Sequence, residues 1–195
     1  MTPNFTKFTW ATFSDASEPY RVRASKSLEY IDWDKLCAIA KDMRNIPCAM
    51  GDQYGFGGRH IVREVVFDDD VHWIARVGIP GVNTNKDEHY IPKPVRNTWT
   101  RLKEMEMQSE IDTMLFVRQH TDIPVPDIFA FDCTCTNGVS APYMLMECIM
   151  GTCVVDVQSD HQVPIQYKEK YFSAEASVLV SSFKRSANRR SNYGI

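Results

Sequence analysis

Three glycines in one short stretch are the first feature of this sequence that could serve a chemical purpose. Gly55, Gly57 and Gly58 precede an apolar, largely β-branched run, Ile61 to Phe67, which favours a strand. In dinucleotide-binding and Walker-type loops the glycines open a helix instead, and the Walker form ends in Gly-Lys-Ser/Thr. Backbone without a Cβ can approach phosphates closely and donate N–H groups to them. The pattern therefore predicts a glycine loop between two strands that covers nucleotide phosphates.

A basic residue on the next predicted strand is the second such feature. The run from His72 to Val77 follows an acidic turn, and its alternation places Ile74 and Arg76 on one face. A cation near the end of such a third strand can bind the α- and β-phosphates of a nucleotide. Lysine is usual at this place, whereas the planar guanidinium of Arg76 binds phosphate or carboxylate oxygens bidentately. The alternative is an exposed strand arginine with no ligand.

A carboxylate on an apolar helix face is the third feature. The sequence predicts a long helix from about Trp99 to His120, and Glu110 lies within its broad apolar stripe. A carboxylate in that setting needs a buried partner, and Arg76 is the predicted one, by analogy with a Lys–Glu pair between a third strand and the following helix. The alternative places Glu110 at the solvent edge of the stripe.

Other periodic segments predict the elements that would position these groups. Apolar residues at spacings of three and four predict a helix from Asp32 to Arg44, with Leu36, Ile39, Ala40 and Met43 on one side. Two further strands, at 127–133 and 142–148, flank a turn at 136–139. Residues 1–30 show no sustained period and predict a loosely organised arm, and residues 78–96 predict a surface loop.

Composition narrows the class of protein. The 195 residues carry a net charge of −3, so the composition does not indicate the basic surface that nucleic-acid binding requires. No segment of the sequence is long and apolar enough to cross a membrane. We therefore expect an intracellular protein, in the cytoplasm, whose cysteines are thiols. Zinc is the alternative for four of the six cysteines, but the Cys-x-Cys spacing is tighter than structural zinc sites favour, and no zinc is expected. These four are Cys133, Cys135, Cys148 and Cys153.

The order of these segments resembles the N-terminal lobe of the aminoglycoside phosphotransferase-like family, which has a protein-kinase-like fold. The resemblance covers about residues 33–183 and rests on four segments: GFGG, FDDDVHWIARV, SEIDTMLFVRQHTDIPVPDIFAFD and APYMLMECIMGT. It implies that the three glycines lie over the phosphates of Mg-ATP, that Arg76 replaces the strand lysine and that Glu110 is its partner on helix C. It also implies that Glu147, Cys148 and Ile149 form the hinge whose backbone meets adenine.

The sequence departs from the family at its C-terminal end. A predicted helix from Pro164 to Phe183 resembles the first long helix of the second lobe. The family would then supply a His-x-Asp loop, a downstream Asn and a metal-binding Asp, and the remaining sequence has none of these. His120-Thr121-Asp122 matches the first motif literally, but its place predicts helix-end and turn chemistry. We expect no catalytic residue and little phosphoryl transfer from this chain.

The resulting prediction is an α+β fold. It comprises an N-terminal arm (1–31), a kinase-like lobe with a five-stranded antiparallel sheet and helix C (32–150), the start of a helical lobe (151–183) and a basic, disordered tail (184–195). The implied partners are a nucleotide and, in the full-length family, a small-molecule acceptor that the sequence does not identify. Two alternatives to a truncated phosphotransferase-family protein stay open: a non-catalytic binding or regulatory module on the same scaffold, and an incomplete gene product.

Overall fold

The structure is a computed structural model, and it describes residues 18–57, 59–79, 98–151, 173–174 and 176–178. Residues 173–174 and 176–178 are helical and fall inside the predicted C-terminal helix. The predictions for Gly58, for Cys153, for most of the 78–96 loop, for the rest of the C-terminal helix and for the basic tail lie outside the described residues.

The described elements comprise three helices and five strands, and every pair of neighbouring strands is antiparallel. The strand order is β1-β2-β3-β5-β4. The predicted α+β class with a five-stranded antiparallel sheet is thus confirmed. In chain order the elements are α1 (Glu18–Tyr30), α2 (Trp33–Arg44), β1 (Cys48–Phe56), β2 (His60–Phe67), β3 (His72–Gly78), α3 (Thr98–His120), β4 (Ile128–Asp132) and β5 (Tyr143–Glu147).

Over residues 18–30, helix α1 corrects the prediction of a loosely organised arm, and the part of that prediction that covers residues 1–17 lies outside the described residues. The buried positions of α1 are Ala24 and Ser27, which are spaced one helical turn apart. Such small residues give no apolar stripe in the sequence, so the helical period could not be recognised. The indole N–H of Trp33 donates to the carbonyl of Leu28 at 3.0 Å and joins the end of α1 to α2.

Helix α2 begins and ends as its sequence predicts. The carboxylate of Asp32 accepts a hydrogen bond from the backbone N–H of Lys35 at 2.8 Å and caps the first turn. Asn45 closes the helix in the left-handed region, with φ 54°, a conformation that asparagine tolerates. Leu36 is fully buried, but Met43, predicted on the same side, is 49% exposed because it lies in the last turn.

The sheet has two chemically different faces. On the first, Trp73, Ala75 and Val77 are buried together with the core residues of α2, as the alternation along β3 predicts. On the second, Ile74 and Arg76 are only partly buried. The remaining buried residues of the first face are Ile61, Val65, Phe67, Tyr143 and Leu145.

Polar contacts fasten the turns around this core. The Nη1 and Nη2 atoms of Arg44 donate to the two carboxylate oxygens of Asp69, at 2.9 and 2.8 Å. The Cζ atom of Arg44 lies 4.4 Å from the centroid of the Phe67 ring. The pair with Asp69 ties α2 to the acidic β2–β3 turn. In the β4–β5 connection the side-chain amide of Asn137 donates to the carbonyls of Thr134 and Ala141. The turn predicted at 136–139 therefore lies inside a longer, internally hydrogen-bonded loop.

The described residues fall into two compact units, one within 10–113 and 126–149, which holds the sheet, and one within 114–125 and 150–195. In the part of the chain that the structure describes, no helix has the length and apolar character that a membrane span requires.

Replacing Leu36 by alanine tests the core between α2 and the first face. Leu36 is fully buried, so Leu36→Ala should lower the free energy of unfolding by about 2–5 kcal/mol. Met43→Ala removes a side chain from the same helix that is half exposed, and it should change this energy by less than about 0.5 kcal/mol. Urea unfolding followed by circular dichroism measures both. Similar losses in the two variants would contradict this placement of the core.

Candidate functional site

An ion pair joins the third strand to the helix that follows it. Nη2 of Arg76 lies 2.8 Å from Oε1 of Glu110, and the two side chains are 31% and 33% exposed. On the helix, Glu110 lies between two buried residues, Met107 and Ile111. The predicted pairing of Arg76 with Glu110 is therefore confirmed. Both groups are partly withdrawn from water, where a charge-assisted contact of this length is stronger than an exposed one.

A histidine approaches the same carboxylate from the other side. Nε2 of His60 lies 3.6 Å from Oε2 of Glu110, so the two oxygens face different basic groups. One helical turn earlier, Oε1 of Glu106 lies 3.8 Å from Nη1 of Arg59. Sequence analysis missed Arg59, His60 and Glu106. The signal was present in two adjacent basic residues after the glycines and two carboxylates four residues apart on the helix.

Of the predicted glycines, Gly55 and Gly57 are described, and they lie at the end of β1 and directly after it. Gly55 belongs to β1 and pairs with Val62, so it is part of the sheet. Gly57 follows the strand, and its N–H donates to the carbonyl of His60 at 2.9 Å. The hairpin predicted around the glycines is thus observed, but this N–H already has an acceptor within the chain.

The predicted hinge begins with Glu147, the last residue of β5, and continues with Cys148 and Ile149 directly after the strand. The backbone N–H of Glu147 donates to the carbonyl of Asp127 at 2.7 Å, and its carboxylate accepts from the Asp127 N–H at 3.1 Å. Burial, with the Glu64 and Glu147 carboxylates nearby, raises the pKa of the Cys148 thiol to about 11. Ile149 is 59% exposed. The backbone N–H of Glu147, in the predicted hinge, therefore already has an acceptor within the chain.

A second group of charges lies on the same face of the sheet, toward the other end of β3. His72 contacts the carboxylates of Glu64 and Asp70, the latter at 3.4 Å. Burial lowers the pKa of His72, but the hydrogen bonds to these two carboxylates outweigh burial and raise the pKa overall. Along the face, Val62 and Ile74, both half buried, separate this group from the one around Glu110.

The described cysteines remain thiols, with no disulfide among them. Burial raises the pKa of Cys135 to about 11, with the Glu104 carboxylate adding to the effect, and it also raises the pKa of Cys133. Both thiols are therefore protonated near neutral pH.

The literal His-x-Asp match is helix-end chemistry, as the sequence predicts. His120 is the last residue of α3, where Nδ1 donates to the carbonyl of Phe116 at 2.9 Å. The hydroxyl of Thr121 donates to the carbonyl of Val117 and accepts from the backbone N–H of Ile123. These contacts terminate the helix and begin the turn that follows it.

Comparison with known proteins gives a short match. The chain is similar to a subtelomeric hrmA-associated cluster protein of Aspergillus fumigatus, in each of two strains, with 46% identity over 43 residues. The match covers 22% of this chain, and the chain spans only 8% of the length of these curated relatives. No protein-family model matches the chain. No solved structure matches it.

The His72 group predicts a pH-dependent contribution to stability. Because the pKa of His72 is raised in the folded state, its contribution is fully present below the unfolded pKa, near 6.5, and is lost as pH rises through the folded pKa. The difference in unfolding free energy between the parent and His72→Gln should therefore be larger at about pH 5.5 than at about pH 8.5. Urea titrations at both pH values measure it, and a difference that grows with pH would contradict the assignment.

Proposed function

We propose that residues 32–150 are the nucleotide-binding lobe of a phosphotransferase-family protein, similar to the aminoglycoside phosphotransferase-like and kinase-like proteins, and that the ligand is Mg-ATP. The observation that carries the proposal is the ion pair between Arg76 on β3 and Glu110 on α3. A cation on the third strand, held by a carboxylate of the next helix, is the arrangement that kinase-like proteins use to position nucleotide phosphates.

The surroundings of this pair support the same ligand. His60, at the start of β2, connects the β1–β2 hairpin to Glu110. A phosphate near Arg76 would therefore also lie near the turn of this hairpin. Val62 and Ile74 form a half-buried apolar strip beside it, which suits the flat face of a purine. Beyond that strip, the residues after β5 would supply backbone groups to the base edge. One face of the sheet thus offers apolar contact and positive charge in the order that a nucleotide needs.

The chemistry of the described residues is that of binding. Arg76 can neutralise phosphate charge, and partial burial strengthens that interaction. The described residues contain no group of three metal-binding side chains, so Mg²⁺ enters the proposal only as the counter-ion of the nucleotide. Phosphoryl transfer to a small-molecule acceptor also needs an aspartate base, and the sequence pattern assigns that role to no residue among these 195.

One observation favours a second candidate, a non-catalytic binding or regulatory module on the same scaffold. The N–H groups of Gly57 and Glu147 are both occupied by acceptors within the chain. A nucleotide would have to use other backbone donors or displace these bonds, whereas a scaffold that binds no nucleotide has no such requirement.

Thermal unfolding with and without Mg-ATP distinguishes the two candidates. A ligand that binds only the folded chain stabilises it by about 2.7 kcal/mol when its concentration is a hundred times Kd. Mg-ATP should therefore raise the Tm of the parent chain. It should not raise the Tm of Arg76→Ala, since this variant lacks the proposed phosphate-binding cation.

Arg44→Ala is the matched control. It removes another partly exposed arginine with a carboxylate partner, Asp69, but that pair fastens α2 to a turn. This variant should have a lower Tm than the parent and should keep the full shift with Mg-ATP. A parent chain that unfolds cooperatively and shows no shift would refute nucleotide binding and favour the scaffold.

A further inference from the structure

Basic side chains approach the carboxylate of Glu110 from two sides, and this arrangement affects what Arg76 can offer to a ligand. A carboxylate commonly accepts two parallel hydrogen bonds from one guanidinium, one for each oxygen. Here Oε1 lies 2.8 Å from Arg76, while Oε2 faces the imidazole of His60 at 3.6 Å. The second oxygen is thus directed toward the glycine hairpin.

Arg76 has a donor that Glu110 does not use. Its Nε atom is buried and has no hydrogen-bond partner among the described residues. A buried donor without an acceptor is unfavourable, and an anionic oxygen that reached it would relieve that cost while binding a full positive charge. The guanidinium has five donors in a fixed plane, so one arginine can contact Glu110 and a phosphate at once.

We propose that His60 is a positioning residue for the phosphates of the nucleotide, an inference that rests on the proposed function. By attracting Oε2 of Glu110, His60 keeps this carboxylate from binding Arg76 with both oxygens. Part of the Arg76 guanidinium then stays available to a phosphate. His60 is the first residue of β2, directly after the turn of the β1–β2 hairpin, so its contact with Glu110 also links this hairpin to α3. The more exposed contact of Arg59 with Glu106 adds a second, weaker link between the same two elements.

The role of His60 can be separated from direct phosphate binding by a double-mutant cycle. Isothermal titration with Mg-ATP is carried out on the parent, His60→Gln, Glu110→Gln and the double variant. We expect His60→Gln to weaken binding about tenfold, because Glu110 then competes with phosphate for Arg76. In the Glu110→Gln background the same substitution should change affinity less than about twofold, since the competing carboxylate is absent.

Two further variants serve as controls. His60→Arg keeps a basic hydrogen-bond donor beside Oε2 and should stay within about threefold of the parent affinity. His120→Gln removes a histidine whose ring N–H binds a helix carbonyl, and it should leave affinity unchanged. Thermal unfolding of each variant verifies that it is folded.

The outcomes are distinct. Unchanged affinity in His60→Gln, or a His60→Arg loss as large as that of His60→Gln, would overturn the positioning role. An equal loss with and without Glu110 would also overturn it, because His60 would then act on the phosphate directly. A folded parent that does not bind Mg-ATP would overturn the proposed function itself, and the role of His60 with it.

Discussion

The alternation of side chains along β2 and β3 is the constraint on which the rest of the structure depends. Because successive residues point to opposite faces, the residues that fill the core with Leu36 and Ala40 necessarily leave His60 and Arg76 on the other side. A shift of one residue in the pairing would bury these charges among apolar side chains and expose Trp73. The register that forms the core is therefore also the register that forms the candidate site.

That second face combines apolar and charged groups in a fixed order. Glu110 with Arg76 and His60 lies toward one end, and Glu64 with His72 lies toward the other. In each group, a partly buried carboxylate is matched by a basic side chain, which reduces the cost of withdrawing both from water. The sheet can therefore carry these charges on one face without loss of its fold, with the apolar residues Val62 and Ile74 between the two groups.

Periodicity predicted the fold and much of the site. The helical and strand periods predicted α2, α3 and the strands β2 to β5, whereas no pattern located β1. The apolar stripe marked Glu110 as a carboxylate that needs a partner, and the analogy with a strand–helix Lys–Glu pair pointed to Arg76, 34 residues earlier in the chain. Helix α1 could not be found in this way, since it buries the small residues Ala24 and Ser27. The contact of His60 also escaped prediction: the adjacent basic residues and the two helix carboxylates indicated possible partners, but which of them meet depends on how closely α3 approaches the start of β2.

The arginine at position 76 and the histidine at position 60 belong to one electrostatic arrangement. A lysine is a compact charge whose pKa falls readily on burial, so a lysine at 76 would rely on a nearby carboxylate to remain charged. Arginine stays charged in any protein environment, so it does not depend on both oxygens of Glu110 to keep its charge. The second oxygen of this carboxylate can therefore contact another basic group. The same arginine could also be neutralised completely by a two-oxygen contact with Glu110, which would leave little charge for an anion. A basic side chain on the other oxygen opposes that contact, and His60 lies where this effect is available.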